Sequence, residues 1–216
     1  MTLPMTSPTA LIARDLVCER GGREVFRGVS FDVVAGTLLT LTGANGAGKS
    51  SLLRQIAGLL PLAAGEVMLH GGARDAPLGE QVHYVGHLDA VKPYFSVLEN
   101  MRFWAALAGG IEDVARDIGV ALSALALDNL ADVPAAYLSA GQRRRLSLAR
   151  LGLGSRPLWL LDEPTVSLDE ESVDRLTAVI RAHLGRGGMA VVASHVPLSV
   201  EGAILRLGTG DRMPAS

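Results

Sequence analysis

Cysteine and aromatic residues are scarce in this chain. Cys18 is the only cysteine among 216 residues, which excludes an intramolecular disulfide and speaks against a cysteine-based metal site. It sits beside Leu16 and Val17, so a buried structural thiol is expected rather than a reactive one. Aromatic residues make up 4% of a composition that is 49% hydrophobic. The core must therefore be built from Leu, Ala and Val. Although the mean hydropathy is +0.30, no run reaches the roughly 18 consecutive apolar residues of a membrane span. The chain can lie against a membrane partner without crossing the bilayer. Neither charge sign is in excess, with 20 Lys and Arg, 22 Asp and Glu and a net charge of −2, so there is no electrostatic footprint for nucleic acid. The one basic cluster, Arg143-Arg144-Arg145, reads as a solvated helix face. Residues 1–10 lack the basic and apolar regions of a secretory signal and are expected to be a disordered start to a cytoplasmic chain.

What is present is an α/β pattern. Leu11 to Cys18 and Val29 to Val34 read as strands joined by a Gly21-Gly22 turn. Short strands follow at Glu66 to His70 and Val82 to Val85. The period then becomes helical. Ser96-Val97-Leu98-Glu99 is a capping box that starts a helix ending near Gly109-Gly110. Further helices are expected over about Glu112 to Ala126, after Gly141 through Leu151, and over Glu171 to Leu184. Pro157 to Leu161, Met189 to Ala193 and Ala203 to Leu207 read as later strands. The chain from residue 11 to 216 is expected to be one domain, its core interrupted by a helical insert between about His87 and Gly154.

The chemistry begins at Gly43-Ala44-Asn45-Gly46-Ala47-Gly48-Lys49-Ser50-Ser51, which fits G-x-x-x-x-G-K-[ST] and follows the apolar run Thr37 to Leu41. A strand, a glycine-rich turn and a helix start aim backbone N–H groups at one point, and polyphosphate is the natural guest. Lys49 would neutralise the terminal phosphates, and the Ser50 hydroxyl would join a Mg²⁺ shell. A dinucleotide fingerprint has no need of the lysine. At the end of a later apolar strand, Asp162 is placed to hold that Mg²⁺ shell through water. Glu163, one residue on, would polarise the attacking water as general base. The competing reading is a pair of solvated acids at a strand end.

Four further segments narrow the family. Leu138-Ser139-Ala140-Gly141-Gln142 resembles the L-S-G-G-Q signature of ABC-type ATPases, with Ala140 in place of a glycine. Leu158 to Glu163 resembles the Walker B strand with its following glutamate. Ser167-Leu168-Asp169 is similar to the D-loop, and Ser194-His195 to the switch histidine segment. The resemblance implies the P-loop ABC ATPase fold: a mixed sheet core, an N-terminal antiparallel β region and a helical subdomain insert. It implies that ATP and Mg²⁺ bind, that His195 contacts the γ-phosphate, and that Asp169 lies at the nucleotide. It also implies that Ser139, Gly141 and Gln142 close over ATP held by a second copy, as a homodimer. The residues alone also allow Ser139 to be a plain helix cap.

Two positions depart from the family pattern. Gly86-His87 stands where a glutamine usually touches Mg²⁺, and His87 can make one hydrogen bond in its place. Arg20 falls where an aromatic usually stacks on adenine. Its guanidinium either stacks on the base or is a surface group near the turn. The segment His83-Tyr84-Val85-Gly86-His87, with Lys92 and Ser96 to Asn100, is similar to the haem-exporter ATP-binding subunits of the system I cytochrome c maturation pathway. That resemblance implies a peripheral subunit on the cytoplasmic face of the bacterial inner membrane. There it would drive integral membrane permease subunits in haem export or haem-chaperone release. Other short bacterial ABC exporters share the length. Soluble ABC-fold ATPases acting on ribosomes or DNA usually carry two cassettes or coiled-coil arms, which this chain lacks.

Overall fold

The computed structural model describes residues 10–73, 76–196 and 198–208. Residues 1–9 of the expected disordered start lie outside these, while Ala10 already belongs to a strand. In chain order the elements are β1 (Ala10–Arg20), β2 (Arg23–Val34), β3 (Leu38–Thr42), α1 (Lys49–Ile56), β4 (Ala64–His70) and β5 (Val82–Val85). They continue with α2 (Val97–Ala108), α3 (Val114–Ala124), α4 (Ala140–Ala149), β6 (Leu158–Asp162), α5 (Glu170–Gly185), β7 (Met189–Ala193) and β8 (Ala203–Arg206). The chain divides into two compact units. The first comprises residues 1–86, 156–163 and 182–216, and the second residues 87–155 and 164–181.

The first unit holds both sheets. β1 and β2 form a hairpin closed at Gly21-Gly22, with Arg20 opposite Arg23 and Ala10 opposite Val34. β4 pairs antiparallel with β1, giving the order β2-β1-β4. The second sheet is wholly parallel, in the order β5-β6-β7-β3-β8. The mixed strand content is thus shared between two sheets. β6 (LWLLD) and β7 (MAVVA) are buried at every position, as central parallel strands require. One core joins the sheets: Leu11, Leu16 and Phe31 pack with Leu39 and Leu41, with Leu52, Leu53 and Ile56 of α1, and with Leu160 and Val191. Cys18 lies in that core, fully buried, and desolvation raises its thiol pKa above the ordinary value.

The second unit is helical. The Ser96 capping box forms as expected: Ser96 Oγ accepts from Glu99 N–H at 3.1 Å, and Glu99 Oε2 accepts from Ser96 N–H at 2.8 Å. α3 starts two residues later than the periodicity predicts, because Asp113 caps it by accepting from Arg116 N–H at 3.0 Å. Within the arginine cluster on α4, Arg144 departs from the expected solvated face, while Arg143 and Arg145 stay half-buried. Arg144 is buried, Arg143 donates to the Leu138 carbonyl, and Arg145 donates to Leu125 O and Ala126 O at 3.0 and 3.2 Å. The Pro164 carbonyl, invisible in a charge pattern, and Asp89 supply the partners that let the Arg144 guanidinium lie inside.

Candidate functional site

The phosphate loop connects β3 to α1. Gly48 caps α1 with φ +100 and offers no side chain to the first-turn N–H groups, which leaves them for an anion. A Cβ on Gly48 would stand 2.7 Å from Phe26 and 2.8 Å from Val25. One on Gly43, at φ +139, would run into the Leu207 carbonyl oxygen. Both positions therefore exclude a side chain, and the loop backbone is seated closely on β2 and on the chain after β8. Lys49 is buried, and its ammonium donates to Gly43 O at 2.8 Å and Ala44 O at 3.3 Å. The loop thus holds one cation at its centre, where a polyphosphate would be neutralised.

Beside it lies the acidic end of β6. Ser50 Oγ donates to Asp162 Oδ1 at 3.0 Å, with Asp162 buried. A hydroxyl and a carboxylate are hard oxygen donors. Two such protein ligands suit a small divalent cation that completes its shell with water and phosphate, so the residues present fit Mg²⁺. Glu163 leaves β6 with φ +47, a left-handed conformation that costs a non-glycine residue on the order of 1 kcal/mol. Its N–H donates to Ala193 O at 2.8 Å, so the turn is anchored to β7. His195 N–H donates to Glu163 Oε2 at 3.3 Å, and His195 Nε2 lies 3.4 Å from Glu163 Oε1. The same Nε2 is 3.3 Å from Lys49 Nζ. One ring nitrogen cannot donate to the carboxylate and accept from the ammonium together. His195 therefore has two hydrogen-bond states, selected by its tautomer.

The first unit thus gathers Gly43, Ala44, Lys49, Glu163 and His195 into one cluster, with Ser50 and Asp162 paired alongside. Asn45 and Gly46 are exposed on the loop, and Ala47 packs against the core. Ser51 is buried and is hydrogen-bonded with the Cys18 side chain. Arg20 is exposed at the hairpin end.

His87, Ser139, Gly141, Gln142 and Asp169 belong to the second unit. His87 is exposed in the bend after β5. Ser139 Oγ accepts from Gln142 N–H at 3.1 Å, and Gln142 Oε1 accepts from Ser139 N–H at 2.8 Å, a complete capping box for α4. Gly141 packs so closely that a Cβ would be 2.8 Å from Ser167 O. Asp169 accepts from Ser172 N–H at 2.9 Å. Hydrogen bonds from the side chain and backbone of Ser172 hold its carboxyl below the ordinary range. Sequence reasoning passed over Arg54 and Tyr84: Arg54 Nε donates to Tyr84 Oη at 3.4 Å, linking α1 to β5. No local pattern announces such a pair, because the helix and the strand meet only in the folded unit.

A family profile described as "ABC transporter" matches residues 26–166, spanning the loop, the signature and the Walker B strand. The cytochrome c biogenesis ATP-binding export protein CcmA of Rhodopseudomonas palustris (strain BisB5) is 50% identical over 198 residues, covering 92% of this chain and 98% of its own. The chain belongs to the ABC transporter family, among the cytochrome c biogenesis ATP-binding export proteins. The CcmA protein of Paracoccus denitrificans (strain Pd 1222) is 51% identical, over 92% of this chain and 89% of its own. Among solved structures, an ABC transporter ATP-binding protein from Pyrococcus furiosus superposes with a TM-score of 0.80 at 25% identity, covering 92% and 98% of the two chains. As an ABC transporter subunit the chain binds and hydrolyses ATP in a transporter system, which implies membrane partners. Among the described residues, no helix is long and apolar enough to cross a membrane.

Proposed function

We propose that this ABC ATPase is the motor of a haem-export or haem-chaperone-release complex in cytochrome c-type biogenesis. It would work from the cytoplasmic face of the inner membrane on integral permease subunits. The support for the haem reading is the 50% identity to cytochrome c biogenesis export proteins over nearly their whole length. The observation that carries the catalytic reading is the Lys49–His195–Glu163 cluster beside the Ser50–Asp162 pair.

In this reading the loop N–H groups and Lys49 receive the phosphates of ATP, and Lys49 gives up its carbonyl partners to do so. Ser50 and Asp162 would hold Mg²⁺, which would supply charge neutralisation for the transferred phosphoryl group. Glu163, fixed by its bond to Ala193 O, accepts a proton from the attacking water. His195 turns from Lys49 toward the γ-phosphate and keeps Glu163 in line through its backbone N–H. Ser139, Gly141 and Gln142 of a second copy complete the site, since the α4 start presents N–H groups and a positive dipole end. Asp169 stands at that same two-copy interface, and His87 takes the place of the usual glutamine. Arg20 stacks on the adenine.

Glu163→Gln tests the mechanism. It removes the proton acceptor while keeping the shape, so ATPase turnover should fall by about 10²-fold or more. ATP should still bind, and ATP-dependent dimers should become long-lived on size exclusion. Undiminished turnover, or monomers alone in ATP, would refute the proposed roles.

A further inference from the structure

Arg144 is 3% exposed, and a guanidinium so far from water is governed by what it touches. Its Nη1 donates to Asp89 Oδ1 at 3.1 Å, and its Nε donates to Pro164 O at 3.3 Å. All three residues lie in the second unit. Asp89 follows His87 by two residues, Pro164 directly follows Glu163, and Arg144 lies two residues beyond Gln142 of the α4 capping box. These contacts do not stand alone. Buried Asn100 accepts from Lys92 N–H at 2.8 Å and donates to Lys92 O, Phe95 O and Ser96 O, so the Asp89 segment is fastened again to α2. The loop after Pro164 is fastened again where Gly141 meets Ser167. Segments 89–96, 139–144 and 164–167 therefore form one connected piece, and Arg144 is its charged fastening.

We propose that Arg144 is a positioning residue for ATP hydrolysis. Its planar fork holds the α4 start and the loop after Glu163 in one register with the Asp89 segment, so a displacement of that segment moves both. The proposal rests on the reading that the α4 start closes over ATP in a second copy. A lysine ammonium keeps the charge but cannot reproduce two donors in a fixed plane. Nucleotide binding by Lys49 and Ser50 involves no atom of this piece.

The test is steady-state ATPase of the full chain carrying Arg144→Lys or Asp89→Asn. Arg144→Lys should lower kcat about tenfold while KM for ATP stays within about twofold. Asp89→Asn, at a partly exposed site, should lower kcat about threefold in the same pattern. Thermal midpoints should fall by several degrees in both variants, because the buried Arg144 site loses part of its pairing, and the held KM is what marks the positioning role. An unchanged kcat in both variants overturns the proposal. So does a joint loss of ATP affinity and thermal stability, the signature of a purely structural role. If Arg144→Lys fails to fold, Asp89→Asn decides alone. In the Glu163→Gln background, loss of ATP-driven dimers on adding Arg144→Lys supports the proposal, and equal dimers with and without it overturn it. Should Glu163→Gln by itself stay monomeric in ATP, the two-copy reading fails, and the kcat against KM split still decides the role of Arg144.

Discussion

Lys49 combines burial with three close partners, Gly43 O, Ala44 O and His195 Nε2. Its charge is therefore committed to the loop, and Lys49→Ala should remove ATPase activity by about 10³-fold, read by phosphate release. Gly48 is constrained twice over, by φ +100 and by Phe26 and Val25. Gly48→Ala should destabilise the protein by about 2 kcal/mol and lower ATP affinity, measured by denaturant melts and nucleotide titration. The glycine-lysine pattern was legible one residue at a time. The seat of Gly48 on Phe26 was not, because those residues lie 22 positions apart in sequence and meet only through the β1–β2 hairpin.

At the scale of elements, the start of α4 carries a double reading. The α4 capping box confirms Ser139 as a cap, and the proposed function gives it a second duty. Ser139→Asp separates the two. Aspartate caps as well as serine and suits a helix N-terminus, so stability should change by less than about 0.5 kcal/mol. A carboxylate facing a second copy's γ-phosphate should nevertheless abolish ATP-driven dimers of the Glu163→Gln variant. Intact dimers would leave Ser139 as a cap alone. Near the end of α5, His183 stacks on Trp159 with centroids 3.8 Å apart and planes 6° apart, and its Nε2 lies 3.1 Å from Met189 O. Burial lowers its pKa from the ordinary 6.5 to about 4, against the raising effect of the Met189 bond. The folded state thus stays neutral while the unfolded state takes up a proton below pH 6.5. Stability is full above that pH and declines as pH falls toward 4, by on the order of 3 kcal/mol in total. Melting temperatures measured from pH 7 to 4.5 should fall more steeply for the parent than for His183→Phe.

At the scale of the whole molecule, the sheets, the phosphate loop and the helical unit together make an ATPase whose work is delivered elsewhere. A tagged full-length chain expressed in a cytochrome c-producing bacterium should fractionate with membranes and co-purify with integral subunits. Recovery with ribosomes or nucleic acid instead would reverse the assignment to transport. Lys49→Ala should leave that association in place, because it acts on the nucleotide and not on docking.

The elements were readable from local order. Strand apolarity, capping boxes and glycine punctuation act over a few residues, and β5 and β7 have the boundaries their apolar runs imply. The family, too, was carried by short segments in a characteristic order. What only tertiary structure decided is which groups meet. It divided the strands between an antiparallel and a parallel sheet, because pairing depends on partners far along the chain. It also joined His195 to Lys49 across 146 positions and turned a basic run into fastenings, with Arg144 buried against Pro164 O and the half-buried Arg145 donating to Leu125 O and Ala126 O. A charge pattern records what a side chain carries, whereas burial is set by carbonyls and carboxylates that arrive only when the chain has folded.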